Sequence, residues 1–297
     1  MNNPNNCNRI GILIPSVANQ IAAGEVVTRP ASALKELVEN SIDAGASKIQ
    51  IELSNGGLSS LRITDNGVGI SKEDLALSLA RHATSKIQNI TDLENIQSLG
   101  FRGEALASIA SVSKLRIISK TQAQSQAYQC RVEGLYLEPE ILSATHPNGT
   151  TVEVNDLFYN VPVRRKFLKS VKTEFEYIDD IVKKMALSHY AIHFILIHNQ
   201  KKLRDYTIAL NEKARLARVQ KIAGAAFIQG AYTIDCEQNG LRLWGYVGGI
   251  QNATRHPHCQ YFYVNQRNVR DKVISHAIKM AFQEANLGLD LKGLFPS

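Results

Sequence analysis

The sequence predicts a two-domain α+β protein, and three observations carry that expectation. Its 297 residues suit about two domains. Apolar residues alternate in some segments and recur at helical spacing in others, in both halves of the chain. Between Arg204 and Asn211 the patterning lapses, which sets a border there, with a first domain over residues 1–207 and a second over 208–297.

The elements follow in order. Ser16 is placed to cap a short helix through Val17 to Gly24. Pro30 suits the first turn of the next helix, whose apolar stripe is Leu34, Leu37, Val38 and Ile42 and whose end is Asp43-Ala44-Gly45. Lys48 to Leu53 alternates as a strand does, Asn55-Gly56-Gly57 reads as a hairpin turn, and Leu61 to Asp65 returns. Ser71-Lys72-Glu73-Asp74 is a capping box for a helix reaching Arg81. From His82 to Leu99 periodicity weakens, and so long a stretch inside a domain points to a functional lid or to disorder. A helix is expected over Gly103 to Ser111, then strands over Lys114 to Lys120, Ala127 to Glu133 and Thr150 to Val154. A long helix over Glu174 to Ser188 and a strand over Ile192 to His198 close the first domain. Beyond the border come a helix (Asn211 to Ile222), strands (Ala231 to Cys236, Leu241 to Val247, Gln260 to Val264) and a helix over Lys272 to Glu284.

Bulk properties narrow the class. Hydrophobic residues make up 44% and charged residues 21%, as in soluble globular proteins. The net charge of +7 suits an anionic partner such as nucleic acid, although charge alone leaves that even. No run approaches ~18 apolar residues, which excludes a membrane helix, and Met1 to Asn8 is too polar for a secretory signal. The cysteines (Cys7, Cys130, Cys236, Cys259) are scattered without a C-x-x-C pair, as suits free thiols in a reducing compartment.

The chemistry concentrates between Lys35 and Gly69. Glu36 and Asn40 are four apart and project from one helical face, with Asp43 close to it. Glu36 could orient and deprotonate a water, and Asn40 could offer Mg²⁺ a neutral oxygen. A solvated helix face fits the same residues. Asp65, at a strand end before Gly67 and Gly69, could accept a hydrogen bond from an exocyclic amine such as adenine N6; a plain Asp-Asn-Gly turn fits as well. Gly100-Phe101-Arg102-Gly103 opens a helix, where backbone N–H groups bind phosphate, or is simply a tight turn. Thr84, Ser85 and Lys86 offer hydroxyls and a cation to the same phosphates. Basic clusters at Arg164-Arg165-Lys166, Lys183-Lys184, Arg215 with Arg218, and Arg267 with Arg270 could contact a nucleic-acid backbone or be solvated faces. His256-Pro257-His258-Cys259 lacks partners at zinc spacing.

Several segments in this order resemble the MutL family of DNA mismatch repair proteins. They are Ala18-Asn19-Gln20-Ile21-Ala22-Ala23-Gly24-Glu25-Val26-Val27, Lys35 to Ala46, Asp65-Asn66-Gly67-Val68-Gly69-Ile70, Arg81-His82-Ala83-Thr84-Ser85-Lys86, Gly100 to Ala110, and Asp156 to Leu168. The likeness is densest before residue ~170 and continues through Tyr263-Val264-Asn265-Gln266-Arg267. It implies the ATP-binding α/β sandwich shared with gyrase B, Hsp90 chaperones and histidine kinases, followed by a smaller α/β domain like ribosomal protein S5. It also implies ATP and Mg²⁺ as cofactors. Glu36 becomes the general base, Asn40 the Mg²⁺ ligand, and Asp65 the adenine contact, supported by Gly69 and Thr150. Asp43 joins the nucleotide site, Thr84, Ser85 and Lys86 fall in a lid near 82–103, and Gly100, Arg102 and Gly103 become γ-phosphate contacts. Arg164, Arg165, Arg267 and Arg270 become DNA contacts.

The implied activity is slow ATP hydrolysis, with ATP-gated dimerisation and DNA binding of weak sequence preference. The implied partners are a MutS-like mismatch sensor, a nicking endonuclease, a repair helicase and a second copy of the chain, in the bacterial cytoplasm. The alternative is a clamp or scaffold without significant turnover. Family members carry a late second-domain lysine after a Val-Asn-Val-His-Pro-type strand. No residue before Ser297 takes that place, so a truncated second domain and impaired hydrolysis are expected.

Overall fold

The computed structural model describes residues 14–87, 99–100, 103–133, 136–248 and 260–284. The chain divides into two compact units, one of residues 1–181 with 194–205 and the other of residues 182–193 with 206–297. The expected His-Pro-His-Cys segment, Arg102 and most of the expected lid lie outside the described residues.

The first unit is built on one eight-stranded sheet. Helices α1 (Pro15–Val26) and α2 (Pro30–Asp43) lead into β1 (Lys48–Ser54) and β2 (Ser60–Asp65), followed by α3 (Lys72–Leu77) and α4 (Ala105–Ser111). Then come β3 (Lys114–Lys120), β4 (Ala127–Glu133), β5 (Tyr136–Ala144), β6 (Gly149–Asn155), α5 (Pro162–Lys166), α6 (Val171–Ser188), β7 (His193–His198) and β8 (Lys201–Tyr206). The strand order is β5-β4-β3-β6-β2-β1-β7-β8, and β6 runs antiparallel to both β3 and β2. Strand alternation sends Ile49, Ile51 and Leu53 of β1, and Leu61 and Ile63 of β2, into the core. There they meet Leu34, Leu37 and Val38 of α2 and Ile109 of α4, all buried. Burying five such side chains on β1 and β2 stabilises the layer by on the order of 10 kcal/mol before chain entropy is counted.

Local chemistry shifts several boundaries. Ile14, not Ser16, holds the N-cap position of α1, because Pro15 takes the first turn. Helix α3 is capped as expected, with Ser71 Oγ accepting from Asp74 N at 3.1 Å, yet it stops at Leu77 instead of Arg81. Ser78 Oγ donates to the Leu75 carbonyl at 2.7 Å, a local bond that competes with helix continuation. Helix α6 starts earlier than expected, where Ser170 Oγ accepts from Thr173 N. Strands β5 and β8, unexpected from the sequence, are the two sheet edges. Pro139 within β5 and the charged run Lys201-Lys202-Leu203-Arg204-Asp205 of β8 suit edges, which natural sheets blunt with proline and charge.

The second unit holds α7 (Glu212–Ala223), α8 (Ala225–Ile228), the antiparallel pair β9 (Tyr232–Gln238) and β10 (Leu241–Val247), the pair β11 (Phe262–Val264) and β12 (Arg267–Val269), and α9 (Lys272–Glu284). Asn211 caps α7 by accepting from Ala214 N at 2.9 Å. Arg218, placed by the sequence in a basic surface cluster, is instead 3% exposed. Its guanidinium donates to the carbonyls of Ala186, His189, Tyr190, Ile192, Tyr206 and Thr207. It is an internal brace that satisfies the carbonyls where the chain turns, and cannot be a phosphate contact. No helix of the described residues is long and apolar enough to cross a membrane.

Candidate nucleotide-binding site

Helix α2 positions the site. Pro30 fixes its first turn after extended Arg29, and the buried Leu34, Leu37 and Val38 turn Glu36, Asn40 and Asp43 toward the other side. The Lys86 ammonium donates to Asn40 Oδ1 at 2.9 Å and to Asp43 Oδ2 at 2.5 Å. Asp43 also accepts from Leu99 N at 2.9 Å and from Gly100 N at 3.2 Å. One carboxylate on α2 therefore gathers Lys86 and the two amides before Phe101. Thr84 stays close, its Oγ1 accepting from Lys86 N at 3.1 Å, while Ser85 is exposed.

Glycine is required where two of these loops meet other backbone. Gly103 has φ of +61°, and a Cβ there would lie 2.6 Å from the Ala83 carbonyl, so residues 83 and 103 approach closely. Gly69 has φ of +77°, and a Cβ would strike the Lys120 carbonyl.

Asp65 sits at the end of β2 and is 8% exposed. Its Oδ1 accepts from Gly67 N at 2.9 Å and Thr150 N at 3.2 Å, and its Oδ2 from Ser41 Oγ at 2.8 Å. Burial pushes the carboxyl up from its ordinary range, and these three hydrogen bonds oppose that shift. Ser119 extends the network: its Oγ donates to the Gly149 carbonyl at 3.0 Å, lies 2.9 Å from Thr150 Oγ1, and accepts from Ile70 N at 2.7 Å. Asp65, Gly69 and Thr150 are thus gathered at one end of the β2–β6–β3 ladder. Ser41 ties Asp65 to α2.

Ser41 and Ser119 are polar partners that sequence reasoning missed. The signal for Ser41 was available: it follows Leu37 by four residues and Leu34 by seven, on the buried stripe of α2, where an apolar residue is the default.

Among the described residues no group of three or more His, Cys, Asp or Glu side chains could hold a metal ion unaided. Asn40 Oδ1 nevertheless receives a cation here, the Lys86 ammonium. That oxygen chemistry fits Mg²⁺, which takes one or two protein oxygens and completes its shell with phosphate and water. Beside Glu36 lies a shallow cavity of about 480 Å³ whose lining includes Arg29, Ser32, Lys35, Tyr177 and Asp180.

The four expected DNA contacts are divided between the units. Arg164 turns toward α1, donating through Nη2 to the Gln20 carbonyl at 2.8 Å and packing against Gly24. Its Nη1 is buried and has no hydrogen-bond partner among the described residues. Arg165 next to it is exposed. Arg267 and Arg270, at β12 in the second unit, are exposed.

Comparison with known proteins adds independent findings. Residues 27–156 match the family described as histidine kinase-, DNA gyrase B-, and HSP90-like ATPase. Residues 219–288 match the DNA mismatch repair protein, C-terminal domain. The DNA mismatch repair protein MutL of Pseudomonas fluorescens is 51% identical over 280 residues, which is 94% of this chain and 44% of that protein. MutL of Shewanella loihica is 52% identical over 275 residues, 93% of this chain and 44% of that protein. The chain thus spans somewhat under half the length of these relatives. Among solved structures, the N-terminal domain of a DNA repair protein superposes with a TM-score of 0.76 at 28% identity, covering 93% of this chain and 85% of that one. The Aquifex aeolicus MutL ATPase domain complexed with ADP superposes with a TM-score of 0.63 at 27% identity, covering 86% and 88%.

Proposed function

The chain belongs to the MutL family of DNA mismatch repair proteins, and on that premise we propose that it binds and slowly hydrolyses ATP to gate its own pairing on DNA. One observation carries the assignment: Asn40, Asp43, Lys86 and the Gly100 amide converge on one face of α2, while Ser41 of the same helix holds the buried Asp65. Charged and hydrogen-bonding groups suited to phosphates and to an adenine edge are thereby joined to one rigid element.

In this assignment Asp65 accepts a hydrogen bond from adenine N6, with Thr150 and Gly69 shaping the base pocket. Lys86, the Gly100 and Gly103 amides, Thr84, Ser85 and Arg102 stabilise the terminal phosphate, whose oxygens gain charge in the transition state. Asn40 would hold Mg²⁺, which when bound would neutralise charge on the phosphates. Glu36 orients a water, takes its proton as the oxygen attacks the γ-phosphorus, and ADP leaves with the bridging oxygen.

The wider activity follows the family. The first domain (1–207) closes its lid near 82–103 on ATP, because ATP binds the closed form more tightly. Closed copies pair, and the second, S5-like domain (208–297) completes a clamp with weak sequence preference. Arg165, Arg267 and Arg270 contact phosphates, while Arg164 braces the neighbouring helix. A MutS-like mismatch sensor, a nicking endonuclease and a repair helicase are the partners, in the bacterial cytoplasm.

The test is steady-state hydrolysis beside nucleotide binding. Glu36→Ala is expected to keep its affinity for Mg²⁺ and ATP and to lose turnover by about 10²-fold or more. Unchanged turnover refutes the base assignment, and binding without any turnover in the unmodified protein favours a scaffold.

A further inference from the structure

Lys35, Glu36 and Glu39 form a chain of charges on α2. The Lys35 ammonium lies 2.8 Å from Glu39 Oε1 and 3.9 Å from Glu36 Oε1. The nearer contact is hydrogen-bonded and joins residues one helical turn apart; the farther is a coulombic approach between chain neighbours. The Lys35 side chain is 49% exposed, that of Glu36 29% and that of Glu39 11%. Two carboxylates therefore compete for one cation, and the buried one holds it. Burial pushes the Glu39 carboxyl up, and its hydrogen bond with Lys35 draws it back down.

The alternative geometry is close. An ammonium released from Glu39 has the Glu36 carboxylate 3.9 Å away. At hydrogen-bond distance it would occupy the lone pairs that a base needs for its water. Arg29, the other cation lining the adjacent cavity, is engaged elsewhere: its guanidinium lies 4.3 Å from the Tyr177 ring centroid and 3.9 Å from Glu174. Glu36 lines that same cavity and is open to water there.

We propose that Glu39 is a positioning residue that holds the Lys35 ammonium off Glu36 and so leaves the Glu36 carboxylate free to engage water. The inference rests on the assignment of Glu36 as the base. It makes Lys35, Glu36 and Glu39 of α2 a three-residue device, in which Glu39 never touches substrate.

A double-mutant cycle tests it: Glu39→Gln, Lys35→Met and the pair together, with Glu36→Ala alongside. Each is measured for kcat and KM of ATP hydrolysis and for affinity toward a fluorescent ATP analogue with Mg²⁺. Glu39→Gln is expected to lower kcat by about tenfold or more, with KM and analogue affinity within about threefold of the unmodified protein. Removing Lys35 as well is expected to bring kcat back to within about threefold of the Lys35→Met variant. A structural role for Glu39 allows no such rescue, so its absence overturns the proposal. Unchanged kcat in Glu39→Gln, or lost analogue affinity, overturns it too. If Glu36→Ala hydrolyses ATP normally, or the unmodified protein does not hydrolyse it at all, the underlying assignment has failed; an inactive Glu36→Ala without rescue refutes the positioning role alone.

Discussion

Replacing Asp65 by asparagine separates recognition from folding at one buried atom pair. The Asn Oδ1 can still accept from Gly67 N and Thr150 N, which lie 2.9 and 3.2 Å from the present Oδ1. At the other position an NH₂ replaces the oxygen that accepts from Ser41 Oγ at 2.8 Å. Ser41 can reverse that bond, because its hydroxyl already lies 3.2 Å from the Leu37 carbonyl and can donate there. The unliganded fold should therefore change by no more than about 1 kcal/mol. The sign of any pH effect is fixed by burial, which raises the folded-state pKa of Asp65 above its ordinary value of 3.8. The folded protein then holds its proton more tightly than the unfolded chain. The Asp65 contribution is fully present below pH 3.8 and is lost as pH rises through the folded-state pKa. Asparagine removes that loss, so stability near neutrality should hold or rise slightly.

Binding behaves differently. An NH₂ facing the adenine amine places donor against donor where a charged acceptor stood, at a cost of about 3 kcal/mol or roughly 100-fold in Kd. At an ATP concentration of about 100 times the unmodified Kd, ligand stabilisation should fall from about 2.7 to about 0.4 kcal/mol. Differential scanning fluorimetry with and without Mg²⁺ and ATP reads both quantities, and a fluorescent-nucleotide titration gives the Kd. A full ATP-induced shift in Asp65→Asn refutes the adenine assignment. A large drop in melting temperature without nucleotide refutes the claim that asparagine preserves the local hydrogen bonds.

Three further outcomes follow from the geometry. Gly69→Ala should cost about 1–3 kcal/mol in chemical denaturation, because the residue has positive φ and its Cβ meets the Lys120 carbonyl; an unchanged midpoint contradicts that conformation. Arg218→Met should destabilise the second unit by about 3 kcal/mol or more, since six carbonyls lose a shared buried donor; denaturation of the variant measures it, and a change under about 0.5 kcal/mol argues against the brace. Arg267→Glu or Arg270→Glu should weaken DNA binding about equally across sequences and flatten its salt dependence, as titration at several salt concentrations would show; loss on one sequence alone contradicts a clamp.

The parts legible in the sequence were those whose physics is local. Strands β3 and β4 fall where apolar periodicity placed them, because each sends alternate apolar side chains, Leu115 and Ile117 or Cys130 and Val132, into the core. Strands β5 and β8 were hidden for the opposite reason. As sheet edges they carry proline and charge, the features that argue against a strand when read locally. Glu36, Asn40, Asp43 and Asp65 stood out because carboxylates and amides at helical spacing beside a glycine turn are visible one residue at a time. Ser41 and Ser119 did not, since a serine reveals its value only through a partner brought from elsewhere in the fold. Arg218 misled for the same reason: a basic residue among other basic residues looks solvated until the carbonyls around it are seen.

A structure of the protein with Mg²⁺ and a non-hydrolysable ATP analogue measures the central claim directly. The account requires adenine N6 within hydrogen-bond distance of Asp65, the metal on Asn40 Oδ1 with the Lys86 ammonium moved to the phosphates, and a water between Glu36 and the γ-phosphorus. A nucleotide seated elsewhere, or one bound with the Lys86 ammonium still on Asn40 and Asp43, contradicts it.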